Sequence, residues 1–185
     1  MKPKLIIVTG NSLKFRELST ELSRFFDCEQ KVFENYNEIQ GYPEEIITHK
    51  LKNAYEFFQA PALVDDTSVH FDALNGFPGP YIRDFIRHMP IYDMGMKFAG
   101  TRIKISCRLG FYDGVNEKIV ATGTISGDVI VPQNIDPGPK EFDLFVQIDG
   151  TDKPMIEFTP EEKNKISHRG YALQDLICKL ESRKK

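Results

Sequence analysis

Cysteine is scarce in this chain and nowhere organised. Cys28, Cys107 and Cys178 are far apart, odd in number and form no Cys-x-x-Cys pair. That argues against a disulfide framework and against a zinc site. Reduced, mostly buried thiols in a cytoplasmic protein are expected instead. Long apolar runs are also missing. The N-terminal stretch Leu5 to Val8 is too short for a signal peptide or a membrane span, and nothing else approaches membrane length, so no membrane partner is expected. A basic excess is absent too: 24 Lys and Arg stand against 27 Asp and Glu, a formal charge of −3. A duplex-binding surface normally shows as a strong basic excess, so nucleic acid is not an expected partner. A small anionic ligand needs only a local basic pocket, which this balance permits. No internal repeat, low-complexity tract or linker interrupts the 185 residues, which suit one domain, 1–185, or one body with two lobes.

What is present is an alternation of strand and helix patterns. Leu5 to Val8 reads as a buried strand that ends at the turn Thr9-Gly10-Asn11. Phe15, Leu18, Leu22 and Phe25 then fall at helical spacing. Pro43-Glu44-Glu45 has the form of a helix start, continued by the stripe Ile47, Leu51, Ala54 and Phe58. Ala60 to Val64 reads as the next buried strand, ending in Asp65-Asp66-Thr67, and Asn75 to Pro80 as a Gly/Pro loop. From Ile103 the period changes to two, through Ile105, Cys107, Leu109 and Phe111. Asp113-Gly114 supplies a turn, and Ile119, Ala121 and Ile125 alternate on the way back, so a long antiparallel hairpin is expected. Thr159-Pro160-Glu161-Glu162 is a capping box opening a last helix through Ser167, His168 and Arg169 to Leu180.

Three places could carry chemistry. At Thr9-Gly10-Asn11-Ser12-Leu13-Lys14 a turn between strand and helix presents backbone N–H groups at the positive end of the helix, and Lys14 adds a point charge, which suits a polyphosphate. The Walker A pattern is absent, and a plain connection is the alternative reading. At Asp65-Asp66 adjacent carboxylates point to different sides of an extended chain, so one can hold Mg²⁺ while the other orients a neighbour or activates water. A solvated turn is the alternative. In the last helix Lys163 and Ser167 are i and i+4 and share a face, and Arg169 could reach a phosphate or a base edge. An ordinary charged helix face is the alternative there. Glu38 alone would read as surface, and His49, His70 and His88 have no metal-ligand spacing.

Taken in order, these segments resemble the inosine triphosphate pyrophosphatase, or Ham1, family. The matching pieces are Val8-Thr9-Gly10-Asn11 with Lys14, then Gln40-Gly41, Val64-Asp65-Asp66-Thr67 and Gly76-Phe77-Pro78-Gly79-Pro80-Tyr81-Ile82. Phe158-Thr159-Pro160-Glu161-Glu162-Lys163-Asn164 follows, running into Ser167-His168-Arg169 and Ala172-Leu173. The resemblance implies hydrolysis of inosine, deoxyinosine and xanthosine triphosphates to the monophosphate and pyrophosphate, with Mg²⁺ or Mn²⁺ as cofactor and a homodimer as the assembly. It also implies an α/β fold, a mixed sheet with flanking helices and two lobes around a central nucleotide cleft.

By the same resemblance, Lys14, Glu38 and Asp66 form the catalytic set. Glu38 and Asp66, supported by Asp65, form the metal set. Thr9, Gly10, Asn11, Lys14 and Lys50 take the triphosphate, while Phe142, Asp143, Lys163, Ser167, His168 and Arg169 take the base. One departure stands out. The family's Phe-Gly-aromatic-Asp-Pro segment is represented by Lys140-Glu141-Phe142-Asp143-Leu144, in which only Phe142-Asp143 survives. Loss of a stacking ring removes roughly 1–3 kcal/mol per base by analogy with single-strand stacking. A pyrophosphatase with different or relaxed base preference is therefore the alternative enzyme, and a nucleotide-binding regulator the alternative without chemistry.

Overall fold

The computed structural model describes residues 2–34, 36–131 and 142–183. In chain order the elements are β1 (Lys4–Val8), α1 (Ser12–Leu22), β2 (Asp27–Lys31), α2 (Pro43–Phe58), β3 (Ala62–Phe71), β4 (Pro78–Gly79), α3 (Ile82–His88) and α4 (Ile91–Phe98). The long strands β5 (Arg102–Tyr112) and β6 (Ile119–Val129) follow, then β7 (Val146–Ile148), α5 (Pro160–Ile166) and α6 (His168–Ser182). The strands form a mixed sheet in the order β2-β1-β3-β5-β6-β7, with β4 pairing antiparallel to β3. β1 runs parallel to both β2 and β3, and β7 runs antiparallel to β6. Residues 113–118 are too few for a crossover, so β5 and β6 are the expected antiparallel hairpin. The carboxylate of Asp113 closes its turn by accepting from the Val115 and Asn116 amides. The mixed α/β class read from the sequence is borne out.

The chain divides into two compact units. The first comprises Met1–Asp66, Cys107–Gly123 and Arg169–Lys185; the second comprises Thr67–Ser106 and Thr124–His168. In the first unit, β1 is apolar without interruption from Leu5 to Val8 because both its faces are covered there. Leu5 and Ile7 pack with Leu18 and Leu22 of α1 and Leu173 and Leu176 of α6. Ile6 and Val8, on the opposite face, pack with Ile47, Leu51 and Ala54 of α2. In the second unit the core is built from Val69, Phe71, Met94, Phe98, Ile103, Ile105, Val129 and Phe145. Gly95 lets α4 approach closely there, since a Cβ at that position would lie 2.1 Å from the Phe145 ring.

Several expectations need correction. β3 does not end at Asp65-Asp66 but continues to Phe71, because Val69 and Phe71 give it a second apolar stretch in the second unit. The strand end belongs to β1, whose pairing with β3 finishes at Val8 opposite Val64. The last helix is broken: Ser167 is extended, with φ −87° and ψ 160°, and separates α5 from α6. Ser167 is the last residue tied to α5, its amide donating to the Lys163 carbonyl four residues back, so the i, i+4 relation of the two holds while the helix ends there. Of the three thiols only Cys107 is buried; Cys28 is half-buried and Cys178 exposed. Among the described residues no helix is long and apolar enough to cross a membrane.

Candidate active site

The first unit assembles most of the expected residues around the end of β1. Asn11 caps α1, its side-chain oxygen accepting from the Leu13 and Lys14 amides, while the Asn11 amide donates to the Thr9 hydroxyl. The turn is thus fixed by its own side chains. Gly10 stands in open space on an ordinary backbone. A Cβ there would meet nothing within 4 Å, and its φ is not in the left-handed region. Neither packing nor backbone strain requires glycine at this position.

Beyond the end of β1, Asp65 and Asp66 project to opposite sides of β3, and each meets a lysine from a different helix. Lys14 of α1 donates to Asp65 Oδ2 at 2.7 Å. From α2, the Lys50 ammonium donates to the Asp65 carbonyl at 2.9 Å and to Glu38 Oε1 at 3.3 Å, and it lies 4.0 Å from Asp66 Oδ1. Glu38 and Asp66 therefore flank one cation. Asp66 Oδ2 is buried and, among the described residues, has no hydrogen-bond partner.

The two carboxyls have opposite electrostatics. Burial raises the Asp66 pKa to about 6, with Lys50 opposing and the charges of Glu38 and Asp65 adding to the rise. Burial would also raise Asp65, but Lys14, Arg169 and Lys50 outweigh it and hold that carboxyl well below the usual range.

Arg169 is largely buried in the first unit. Its guanidinium donates to Glu17 Oε2 at 2.7 Å and lies 3.9 Å from Asp65 Oδ2, and its side chain is 12% exposed. Glu17 was not singled out from the sequence. The available signal was its position one turn after Lys14 on α1, which puts both side chains on the same face. Lys14, Asp65, Arg169 and Glu17 form a continuous run of alternating charge.

The second unit holds the remaining candidates. The Lys163 ammonium donates to Asp143 Oδ2 at 2.6 Å. Phe142 opens a short 3₁₀ turn, Phe142–Phe145, and packs against the second unit's core. Ser167 and His168 are buried. Lys140 and Glu141, which carry the departure from the family segment, lie outside the described residues.

The model of the Ham1 family matches residues 5–179. This chain belongs to the Ham1 family. Among curated Ham1 relatives, the inosine triphosphate pyrophosphatase of Scheffersomyces stipitis is 35% identical, over 91% of this chain and 93% of that protein. The inosine triphosphate pyrophosphatase of Schizosaccharomyces pombe is 31% identical over 97% and 96%. Solved Ham1 structures share the fold. The protein from Coxiella burnetii matches with a TM-score of 0.77 at 21% identity, covering 98% of this chain and 100% of that one. A Mycobacterium abscessus protein described as a nucleoside-triphosphatase and dITP/XTP pyrophosphatase matches with a TM-score of 0.63 at 22% identity, over 94% and 97%.

Proposed function

We propose that this chain hydrolyses inosine, deoxyinosine and xanthosine triphosphates to the monophosphate and pyrophosphate, removing non-standard purines from the nucleotide pool of the cytoplasm. The observation that carries the reading is the buried, unpartnered Oδ2 of Asp66, which sits with Glu38 around Lys50 and within the same unit as Lys14 and the open turn at Gly10. A buried carboxylate oxygen without a donor is costly unless a ligand satisfies it.

The donor set fits a hard divalent cation. Glu38 and Asp66 offer oxygen atoms only, and among the described residues no group of three acidic, histidine or cysteine side chains converges on one point. Mg²⁺ characteristically takes one or two carboxylates and completes its shell with substrate phosphate and water. Glu38 and Asp66 would hold Mg²⁺, or Mn²⁺ in its place, and the ion would supply neutralisation of the phosphate charge. Asp65, committed to Lys14 and Arg169, serves better as the anchor of Lys14 than as a third ligand.

The chain's own groups account for the rest. The turn amides at Gly10 and the Lys14 ammonium receive the triphosphate. Lys14 and Lys50 stabilise the charge that develops on departing pyrophosphate. Asp66, with a pKa of about 6, is matched to accepting a proton from water near neutral pH. Lys163 with Asp143, and His168 with Ser167, are the proposed contacts to the base.

Pyrophosphate release, measured across inosine, xanthosine, guanosine and deoxyuridine triphosphates at fixed Mg²⁺, tests the proposal. Monophosphate and pyrophosphate are expected, with activity abolished by chelation. Stepwise orthophosphate release through a diphosphate would sink it, and binding without turnover would make the chain a regulator. The segment Lys140-Glu141-Phe142-Asp143-Leu144 favours one second reading, the same chemistry with a relaxed base preference. A homodimer belongs to the same proposal, and sedimentation of the purified protein decides it.

A further inference from the structure

Glu38 lies on the segment between β2 and α2, outside any helix or strand. Among the described residues its side-chain partner is Lys50, a flexible residue that is itself shared among Asp65, Asp66 and Glu38. A carboxylate held only by a shared lysine would be poorly placed. Two residues earlier, Tyr36 makes a much more specific attachment. Its hydroxyl is hydrogen-bonded to Nδ1 of His49 at 3.0 Å, and its ring lies 6.0 Å from the His49 ring. His49 immediately precedes Lys50 on α2. The segment therefore touches α2 at successive residues: Tyr36 on His49, then Glu38 on Lys50.

Both ends of this attachment are backed. Phe33 stacks on Tyr36 with ring centroids 5.2 Å apart, and it also meets Phe57 and Phe58 of α2 at 4.8 and 5.9 Å. Asn53, one turn after His49, donates to the His49 carbonyl at 2.7 Å and places its amide 3.3 Å from both ring nitrogens. Burial, and after it the charges of Glu38 and Asp66, push the Tyr36 phenol up to about 12, so it stays protonated and can donate to His49.

We propose that the Tyr36–His49 hydrogen bond is a positioning device for Glu38, fixing the segment on α2 so that the Glu38 carboxylate stands opposite Asp66 before a divalent cation arrives. The inference rests on the reading of Glu38 and Asp66 as cation ligands. Tyr36 and His49 touch neither the cation nor the substrate in this scheme. Their contribution is to remove conformational freedom that cation binding would otherwise have to remove, as outer groups do for ligands in other metal sites.

The test uses the full-length protein and Mn²⁺ as probe. Binding is followed by the paramagnetic resonance of free Mn²⁺ on nucleotide-free protein, and in parallel by the Mg²⁺ concentration giving half-maximal pyrophosphate release. Tyr36→Phe keeps the ring and its stacking but loses the hydroxyl. It should weaken Mn²⁺ binding and raise the Mg²⁺ requirement by about two- to tenfold, the equivalent of one neutral hydrogen bond. His49→Ala should do the same, and His49→Gln, whose amide can still meet the phenol, should recover most of the loss. A loss that His49→Gln does not recover would reduce the pair to a packing role and overturn the proposal. Glu38→Gln separates the two levels. If Glu38→Gln weakens Mn²⁺ binding while Tyr36→Phe matches the wild type, the positioning proposal fails and the ligand reading stands. If Glu38→Gln binds Mn²⁺ as tightly as the wild type, or the wild type itself shows no dependence on the cation, the ligand reading fails and the positioning proposal fails with it.

Discussion

Asp65 and Asp66 are consecutive residues of one strand, yet their carboxyls are driven in opposite directions, Asp65 well below its ordinary pKa and Asp66 up to about 6. The pleat separates them. Asp65 turns toward Lys14 and Arg169 and is held ionised, whereas Asp66 shares Lys50 with Glu38 and retains a buried oxygen without a donor. Two neighbouring acids can thus hold different tasks, one structural and one chemical.

Asp66→Asn should therefore separate activity from stability. Turnover should fall at least about a hundredfold, the low end of a general-base contribution. Metal-free Asp66→Asn at pH 7 should melt no lower than the wild type, because it replaces a carboxylate that burial disfavours when charged. Folded Asp66 keeps its proton up to about pH 6, whereas in the unfolded chain it loses it near 3.8. Between those values the folded state binds more protons, so this group's contribution to stability falls as pH rises. This fall, about 3 kcal/mol in total, should be missing from denaturant titrations of Asp66→Asn. Near-normal turnover in this variant would move the chemical role elsewhere.

Asp65→Asn should do the reverse and unfold the protein more readily. Removing Asp65 leaves Lys14 without its carboxylate partner and Arg169 with Glu17 alone, and breaking a buried ion pair in this way costs about 3–5 kcal/mol. The sign is opposite to that of Asp66. A depressed folded pKa gives stability that is present above the unfolded value near 3.8 and is lost as pH falls through the folded one. The gap between wild type and Asp65→Asn should accordingly be widest at neutral pH and narrow below about pH 4. A variant as stable as the wild type at pH 7 would show that Lys14 does not depend on this anchor.

Gly10→Ala tests the open turn. A Cβ at Gly10 meets nothing within 4 Å of protein, so melting should be unchanged or slightly raised. Substrate is a different matter. If phosphate approaches the backbone here, the added methyl obstructs it, and kcat/KM should drop at least about fivefold, the low end of an overpacking penalty. An unchanged kcat/KM would place the phosphates away from this turn.

Much of this frame was legible in the sequence. The run Leu5 to Val8, the capping signal at Pro43 and the alternation from Ile103 to Ile125 are local patterns, and each produced the expected element. The errors came from features that local pattern does not carry. The strand through Asp65-Asp66 reads as ending there because two adjacent acids look like a turn, and only the lysines of two distant helices make them acceptable inside a strand. Ser167 lies within an otherwise helical stretch with a good capping box, and nothing in its neighbours announces the extended backbone that splits α5 from α6. Glu17 was missed because its pairing with Arg169, 152 residues later, has no local signature.

That placement of Arg169 changes which residue should read the base. The 6-oxo group of hypoxanthine accepts hydrogen bonds, whereas the 6-amino group of adenine donates them. An ammonium has three donors and no acceptor, and Lys163 commits one of these to Asp143. If Lys163 contacts the base, it favours the oxo group and leaves an amino group facing another donor, a mismatch that discriminates strongly. A stacking platform discriminates weakly, because every base offers a π-face. The specificity constant for inosine triphosphate should then exceed that for adenosine triphosphate by at least about a hundredfold, even with Lys140 and Glu141 in the segment ahead of Phe142. Lys163→Ala should collapse the ratio while leaving melting almost unchanged. Arg169→Ala should act the other way, lowering stability through loss of the Glu17 and Asp65 contacts and leaving the ratio intact in whatever protein remains folded. A wild-type ratio near one defeats donor-based reading altogether. A well-folded Arg169→Ala protein with a collapsed ratio would return the base-reading role to Arg169 and require its guanidinium to leave Glu17 when substrate binds.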